Sequence, residues 1–453
     1  MKNKLIKSVG VIITAGLLLG GLKYLTDVAE RKDSDFKYGP FFAEEKDFDV
    51  LFLGTSHVLN GIFPMELWND YGFTSYNFGG HDNYLPTTYW VMKNALDYTS
   101  PEVVVIDCLT LRKETKTSDN SNYVHQSLDA FPLSLNKIRA VQDLISPESQ
   151  LNFLWDFMSY HSRWEELKEE DFSPSYTLEK GAESRITVDI PQRYEKAAST
   201  EKTADGTIAS IYLRKIIQEC SEQNIPVLLT YLPFPADKDR QMEANLAYDI
   251  ADEYDVPYLN FLDMDNIVDY SIDCYDANSH LNPSGARKIT DYLGSYLQKQ
   301  YSLADHRKDP AYAHWNADYE AYMDFKIQNL QNTDSLSSYL MLLRDETFAF
   351  DIRIKENSSL LQDERFLRQI QNLGTFSSFE LPSSGQRSIS NFNVSDCWKD
   401  IPDDQTYEIQ IVVKDRKKDQ MADYAAFSLQ GKDSKGNLLG TRIKKTKNSH
   451  DKS

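Results

Sequence analysis

The strongest constraint on how this chain folds is the run Pro101-Glu102-Val103-Val104-Val105-Ile106-Asp107-Cys108. From Val103 to Ile106 it is continuous, apolar and mostly β-branched, so a strand here has both faces buried. A strand covered on both sides belongs inside a parallel sheet flanked by helices. Val50 to Leu53 is a second run of this kind, and it ends abruptly in Gly54-Thr55-Ser56-His57. Ser75 to Phe78, Ile225 to Tyr231 and Val256 to Leu262 supply three more strand candidates.

Helical patterns alternate with these runs. Glu66 to Gly72 reads as a short helix closed by a glycine, and Thr87 to Tyr98, Thr207 to Gln223 and Arg240 to Tyr254 as longer ones. Asn282 and Pro283 are suited to be N-cap and first-turn proline of a helix over Ser284 to Gln300. Such alternation predicts an α/β fold with a doubly wound parallel sheet, occupying about 40–302. From about 115 to 202 the alternation lapses into helical stretches, Leu135 to Leu144, Leu151 to Tyr160 and Trp164 to Glu170, which reads as an insertion on the sheet's carboxyl edge. Residues 303–453 change character again. His306 to Asn332 reads as a helical linker, while Phe348 to Ile354 and Tyr407 to Val413 alternate as half-exposed strands of a small β-rich domain with a frayed end.

The N-terminal segment, 1–30, carries Lys2, Lys4 and Lys7 before an apolar run from Val9 to Leu22, closed by Lys23. That is the layout of a signal sequence or an uncleaved anchor. The run is short for a spanning helix unless Tyr24 and Leu25 join it and the flanking lysines snorkel. Thr26-Asp27-Val28-Ala29 is a poor cleavage site, which favours an anchor, and the positive flank places the bulk of the chain outside the cytoplasm. Glu30 to Lys46 reads as a polar spacer. A formal charge of −20 opposes a nucleic-acid partner. The four cysteines are too scattered for a disulfide framework or a zinc site, and His57, His81 and His280 lack ligand spacing, so neither metal nor cofactor is expected.

Ligands bind beyond the carboxyl ends of strands in open α/β sheets, which is where Ser56 falls. A serine nucleophile needs a base and a group to orient that base. Asp276-Ala277-Asn278-Ser279-His280, just before the last helix, offers both.

Three blocks thus fall in order: Gly54-Thr55-Ser56-His57, Asn77-Phe78-Gly79-Gly80 and Asp276 through His280. In this the stretch from Asp47 to Leu297 resembles the SGNH/GDSL hydrolase superfamily, with its flavodoxin-like three-layer fold. More narrowly it is similar to the membrane-anchored, extracytoplasmic branch that includes the teichoic-acid D-alanylation protein and alginate O-acetylation proteins. The resemblance implies an acyl esterase or O-acyltransferase acting on a cell-envelope polymer or small acyl ester, beside a membrane-bound O-acyltransferase. It makes Ser56 the nucleophile and His280 the base, and has the Gly79/Gly80 turn lend an oxyanion N–H beside that of Ser56. Two departures stand out. The family's Asp-x-x-His has one residue fewer, so Asp276 reaches the imidazole only if the loop bulges, with Asp273 in reserve. Where the family's oxyanion asparagine belongs, this chain has Asp107-Cys108-Leu109-Thr110, and a carboxylate cannot donate.

His57 has a structural or a substrate-contacting role. His81 and Asp82 are candidates for lining the pocket. Tyr160-His161-Ser162-Arg163-Trp164 either binds a sugar and an anion through His161 and Arg163 or forms a helix-end cluster. A non-catalytic polymer-binding scaffold is the rival reading.

Overall fold

The computed structural model describes residues 2–29, 38–44, 48–155, 157–172, 177–189, 197–373, 387–391, 395–399, 401, 407–432 and 438–443. Helix α1 (Lys2–Ala29) contains an 18-residue apolar window, Val9–Thr26, long enough to cross a membrane. A short helix α2 (Tyr38–Ala43) follows within the stretch expected to be a polar spacer. Its aromatics explain the difference. Tyr38 and Phe41 are fully buried, and Phe41 packs on Phe48, Tyr76 and Phe78.

Five strands then build one sheet: β1 (Val50–Gly54), β2 (Ser75–Gly79), β3 (Val103–Asp107), β4 (Val227–Tyr231) and β5 (Tyr258–Asn260). All pairings are parallel, in the order β2-β1-β3-β4-β5. The first four strands are buried along their whole length, β1 and β3 as their apolar runs require and β2 with Ser75 and Asn77 buried among its aromatics. The order turns back between β1 and β3, which opens a crevice at their carboxyl ends.

Helices cover both faces. α3 (Ser56–Gly61), α4 (Pro64–Tyr71) and α12 (Pro283–Tyr301) pack on the side of Val50, Phe52, Val103 and Val105. α5 (Leu85–Leu96), α10 (Ile208–Glu222) and α11 (Lys238–Glu253) pack on the side of Leu51, Leu53, Val104 and Ile106. The alternation of those numbers is the two-residue period of a strand. Asn282 caps α12 by accepting from the N–H groups of Ser284 and Gly285, as its position before Pro283 suggests. Gly72 ends α4 with φ 82°, where a β-carbon would also strike Asp305.

The insertion holds α6 (Ser121–Leu128), α7 (Leu135–Leu144), α8 (Gln150–Leu154) and α9 (Phe157–Tyr160), then 3₁₀ turns at His161–Glu165 and Glu169–Phe172. The helix expected over Leu151 to Tyr160 is therefore two helices, broken where Trp155 leaves helical geometry.

Beyond α12, helix α13 (Ala313–Asn332) is more than a linker. Trp315, Tyr319, Tyr322 and Met323 join the core of the parallel sheet, with Trp315 5.3 Å from Trp68. After α14 (Leu336–Leu342), the strands β6 (Phe348–Ile354), β7 (Arg387–Ser390), β8 (Ile409–Asp415), β9 (Gln420–Lys432) and β10 (Leu438–Arg442) form a separate antiparallel sheet, ordered β10-β9-β8-β6-β7. α15 (Glu364–Gln371) lies between β6 and β7. β6 and β8 are not half-exposed, as their alternation suggests. Leu340, Phe366 and Ile370 cover one face, while Trp398 covers Ala349 and Val412 on the other.

Candidate active site

Ser56 is the first residue of α3, immediately after β1. Thr55 makes the turn by capping: its hydroxyl accepts from the His57 N–H at 3.3 Å. Gly54 is required by space, because a β-carbon there would lie 2.6 Å from Val58 Cγ2 and 2.8 Å from Asp107 Cβ. As the first helical residue, Ser56 has no intrahelical acceptor for its own N–H.

The base arrives on a loop whose two arms are bridged at Cys274 and Leu281. The Tyr275 N–H donates to the His280 carbonyl at 2.9 Å, and Ser279 takes the left-handed conformation with φ 71°. That single left-handed residue absorbs the extra residue between Asp276 and His280. The His280 Nε2 lies 2.8 Å from Ser56 Oγ, across 224 positions of sequence. Its Nδ1 lies 2.8 Å from Asp276 Oδ2, and its backbone N–H donates to Asp276 Oδ1 at 3.1 Å. An ionised carboxylate only accepts, so Nδ1 carries the proton and Nε2 is left to accept from Ser56.

Burial by itself would raise the pKa of Asp276. The hydrogen bond and charge of His280, with the N–H groups of His280 and Asn278, outweigh it and hold the carboxyl below its ordinary range. The Tyr275 ring stacks on His280 at 5.6 Å, and its hydroxyl donates to Asn60 Oδ1 at 3.2 Å. His57 fills the other side, 4.7 Å from the His280 ring and 5.2 Å from Phe234. Burial, helped by the charges of His280 and Arg240, pushes His57 well below the usual histidine range. It is a neutral wall beside the base.

Asp273 is elsewhere. It is fully buried, bonded to Lys288 at 2.6 Å, Arg344 at 2.9 Å and the Ser284 hydroxyl at 3.0 Å.

The glycine turn departs from expectation. The Gly79 N–H donates to Asn77 Oδ1 at 2.8 Å, and the Gly80 N–H to the Gly54 carbonyl at 3.1 Å. Both amides are occupied. The glycines are there for close approach: a β-carbon on Gly79 would lie 2.2 Å from Leu59 N, and one on Gly80 2.4 Å from Asn83 Nδ2. Asn77 completes the joint by donating to the carbonyls of Val58 and Ile62, both at 2.8 Å. It ties β2 to α3 and so fixes the shelf on which Ser56 stands.

At the end of β3, Asp107 is buried. Its Oδ1 accepts from the Leu232 N–H at 3.0 Å, while among the described residues Oδ2 has no hydrogen-bond partner at ordinary distance. Burial pushes its carboxyl up to about 7. Near neutral pH it is therefore partly a carboxylic acid, which can donate where a carboxylate cannot. Thr110, three residues on, is β-branched yet has φ 82°, and its buried hydroxyl is also unpartnered among the described residues.

The remaining candidates divide. His81 packs at a tilt on Tyr123, centroids 5.2 Å apart, and approaches Glu183 at 4.0 Å, while exposed Asp82 accepts from Ser118 at 3.2 Å. Both sit where the insertion meets the turn after β2. Arg163 is committed away from Ser56, donating to the Ala29 carbonyl at 2.6 Å and to Asp171 at 3.0 Å. With exposed His161 beside it, this cluster sits at the end of α1. Asn60 and Tyr275 support the site without having been singled out, since a lone asparagine or tyrosine carries no spacing signal, and Asn77 opened one of the three blocks without being given a role. No family model matches the chain, and no curated protein matches it.

Proposed function

We propose that the chain is a membrane-anchored, serine-dependent acyl esterase or O-acyltransferase of the SGNH type. Its substrate is an acyl group on a cell-envelope polysaccharide, a teichoic acid or a small ester. The observation that carries this is the unbroken relay from Ser56 Oγ through His280 to Asp276, with both links at 2.8 Å. The strand order β2-β1-β3-β4-β5 supports the flavodoxin-like assignment. α1 supports a single N-terminal anchor, with the rest of the chain outside the cytoplasm.

In this reading His280 Nε2 takes the Ser56 proton as Oγ attacks the acyl carbonyl. The tetrahedral oxyanion takes the Ser56 N–H. Collapse expels the alcohol, protonated by His280, and leaves an acyl-Ser56 ester. Water or a polymer hydroxyl then attacks that ester, with His280 again as base. Asp276 fixes the tautomer and the ring throughout.

The scaffold reading keeps one observation in its favour: the Gly79 and Gly80 amides are bonded within the chain, which leaves Ser56's N–H as the backbone donor identified for the oxyanion among the described residues. A missing donor costs about 3 kcal/mol of barrier, which slows an enzyme without abolishing it. A fluorophosphonate probe separates the two readings. The detergent-solubilised chain should be labelled on Ser56, and Ser56→Ala should not be labelled. An unlabelled wild-type chain would leave the scaffold.

A further inference from the structure

The apolar surface of α1 changes abruptly along its length. Val11, Ile12, Leu17, Leu18 and Leu19 are each about two-thirds exposed, at 67–72%. Thr26, Val28 and Ala29 are buried. The bare window, Val9–Thr26, is 18 residues, about 27 Å of helix and close to the hydrocarbon thickness of a bilayer. The helix therefore leaves the lipid and enters protein at Leu25–Thr26. What it enters is the insertion: α1 packs on α9 and on both 3₁₀ turns. Tyr160 packs on Ala29, and Arg163 caps the last carbonyl of the helix.

Anything touching Ala29 stands within about one helical turn, 5 Å, of the point where the lipid ends. That neighbourhood carries exposed apolar side chains: Trp164 at 39% and Phe172 at 60%, with Leu151 at 55% and Trp155 at 42% on the adjoining α8. Large apolar groups partly exposed at the mouth of a membrane helix, two of them tryptophans, match the chemistry of the headgroup layer. Glu165, Glu166 and Glu169 lie among them, so attraction to anionic lipid is not what holds the surface.

We propose that the insertion is a membrane-seating element, with Leu151, Trp155, Trp164 and Phe172 lying in the headgroup layer around the exit of α1. This rests on α1 being a membrane anchor. The insertion also grips the catalytic edge: Ser127 on α6 donates to Asn83 at 2.5 Å, and Tyr123 packs at a tilt on His81. Seating it therefore fixes how the rim beside Ser56 faces the membrane and favours acyl donors and acceptors held at the membrane surface.

The test uses the full chain in nanodiscs of zwitterionic lipid brominated near the headgroup. An alkaline carbonate wash of cell membranes is read first. Release of the chain by the wash would remove the anchor, and the seating with it. With the chain retained, bromine should quench about a third of the emission, since two of six tryptophans are involved. The Trp155→Phe/Trp164→Phe chain should lose that quenching and keep its thermal midpoint, and 1 M salt should leave the wild-type quenching unchanged. A retained wild-type chain with no quenching, quenching equal in the double variant, or quenching abolished by salt would each overturn the proposal while sparing the anchor.

Discussion

Asp273 and Asp276 stand three residues apart on one loop and live in opposite surroundings. Asp276, at the tip, keeps 28% of its side chain exposed and spends its two oxygens on the imidazole and backbone of His280. Asp273, at the root, is sealed from water and bound by a lysine and an arginine. The arginine comes from α14's end, beside the antiparallel sheet. Sequence proximity to a histidine therefore selects neither carboxylate. What separates them is reach: only the tip, turned back by left-handed Ser279, brings an oxygen to Nδ1. The root holds the arms still, and the tip orients the base.

Removing the nucleophile or the base should give the largest effects. Ser56→Ala should abolish fluorophosphonate labelling, and His280→Ala should slow it by about four orders of magnitude or more, with thermal midpoints unchanged. Asp276→Asn should slow labelling somewhat less, by about three to four orders, because the imidazole then loses its preferred tautomer but keeps its place. Labelling by the Asp276→Asn chain at the wild-type rate would mean that the tip does nothing for the base.

The root predicts the reverse pattern. Asp273→Asn leaves Lys288 and Arg344 facing a neutral group in a buried setting, where breaking an ion pair costs about 3 to 5 kcal/mol. The variant should unfold earlier in urea, while its folded fraction labels at nearly the wild-type rate. Arg344→Met should destabilise as well, and the double variant by less than the sum of the two, since both remove one contact. Additive losses would dissolve the root as a unit.

Much of this was legible in the sequence because it rests on short-range signals. The buried strands show as β-branched runs, and the capped start of α12 shows as Asn282-Pro283. The order of the three blocks put Ser56 and His280 at one edge. What was not legible depends on partners far along the chain. Tyr38 and Phe41 look like part of a spacer until β2 and Phe48 are beside them. The amides of Gly79 and Gly80 look available until Asn77 and Gly54 claim them. Arg163 looks like a ligand for anions until the end of α1 lies against it. β6 and β8 alternate like half-exposed strands, but Trp398, brought over from a distant turn, covers the face that would be wet.

A third carboxylate sharpens the contrast between tip and root, because it is buried like Asp273 but is not paired with a cation. Asp107 has one oxygen on the Leu232 N–H and the other, among the described residues, unpartnered, and burial pushes its carboxyl up to about 7. An aspartate in the unfolded chain titrates near about 4. Between those two values the unfolded chain has released a proton that the fold retains, so the stability linked to Asp107 is whole below about pH 4 and is lost as pH rises through about 7. Asparagine at this position fits the same space, accepts from Leu232 and cannot ionise. The Asp107→Asn chain should therefore gain on the wild type as pH rises, by about 2 kcal/mol more at pH 8 than at pH 5 in urea unfolding. A difference that stays flat between those pH values would mean that Asp107 is ionised in the fold, and that an unseen partner meets its second oxygen.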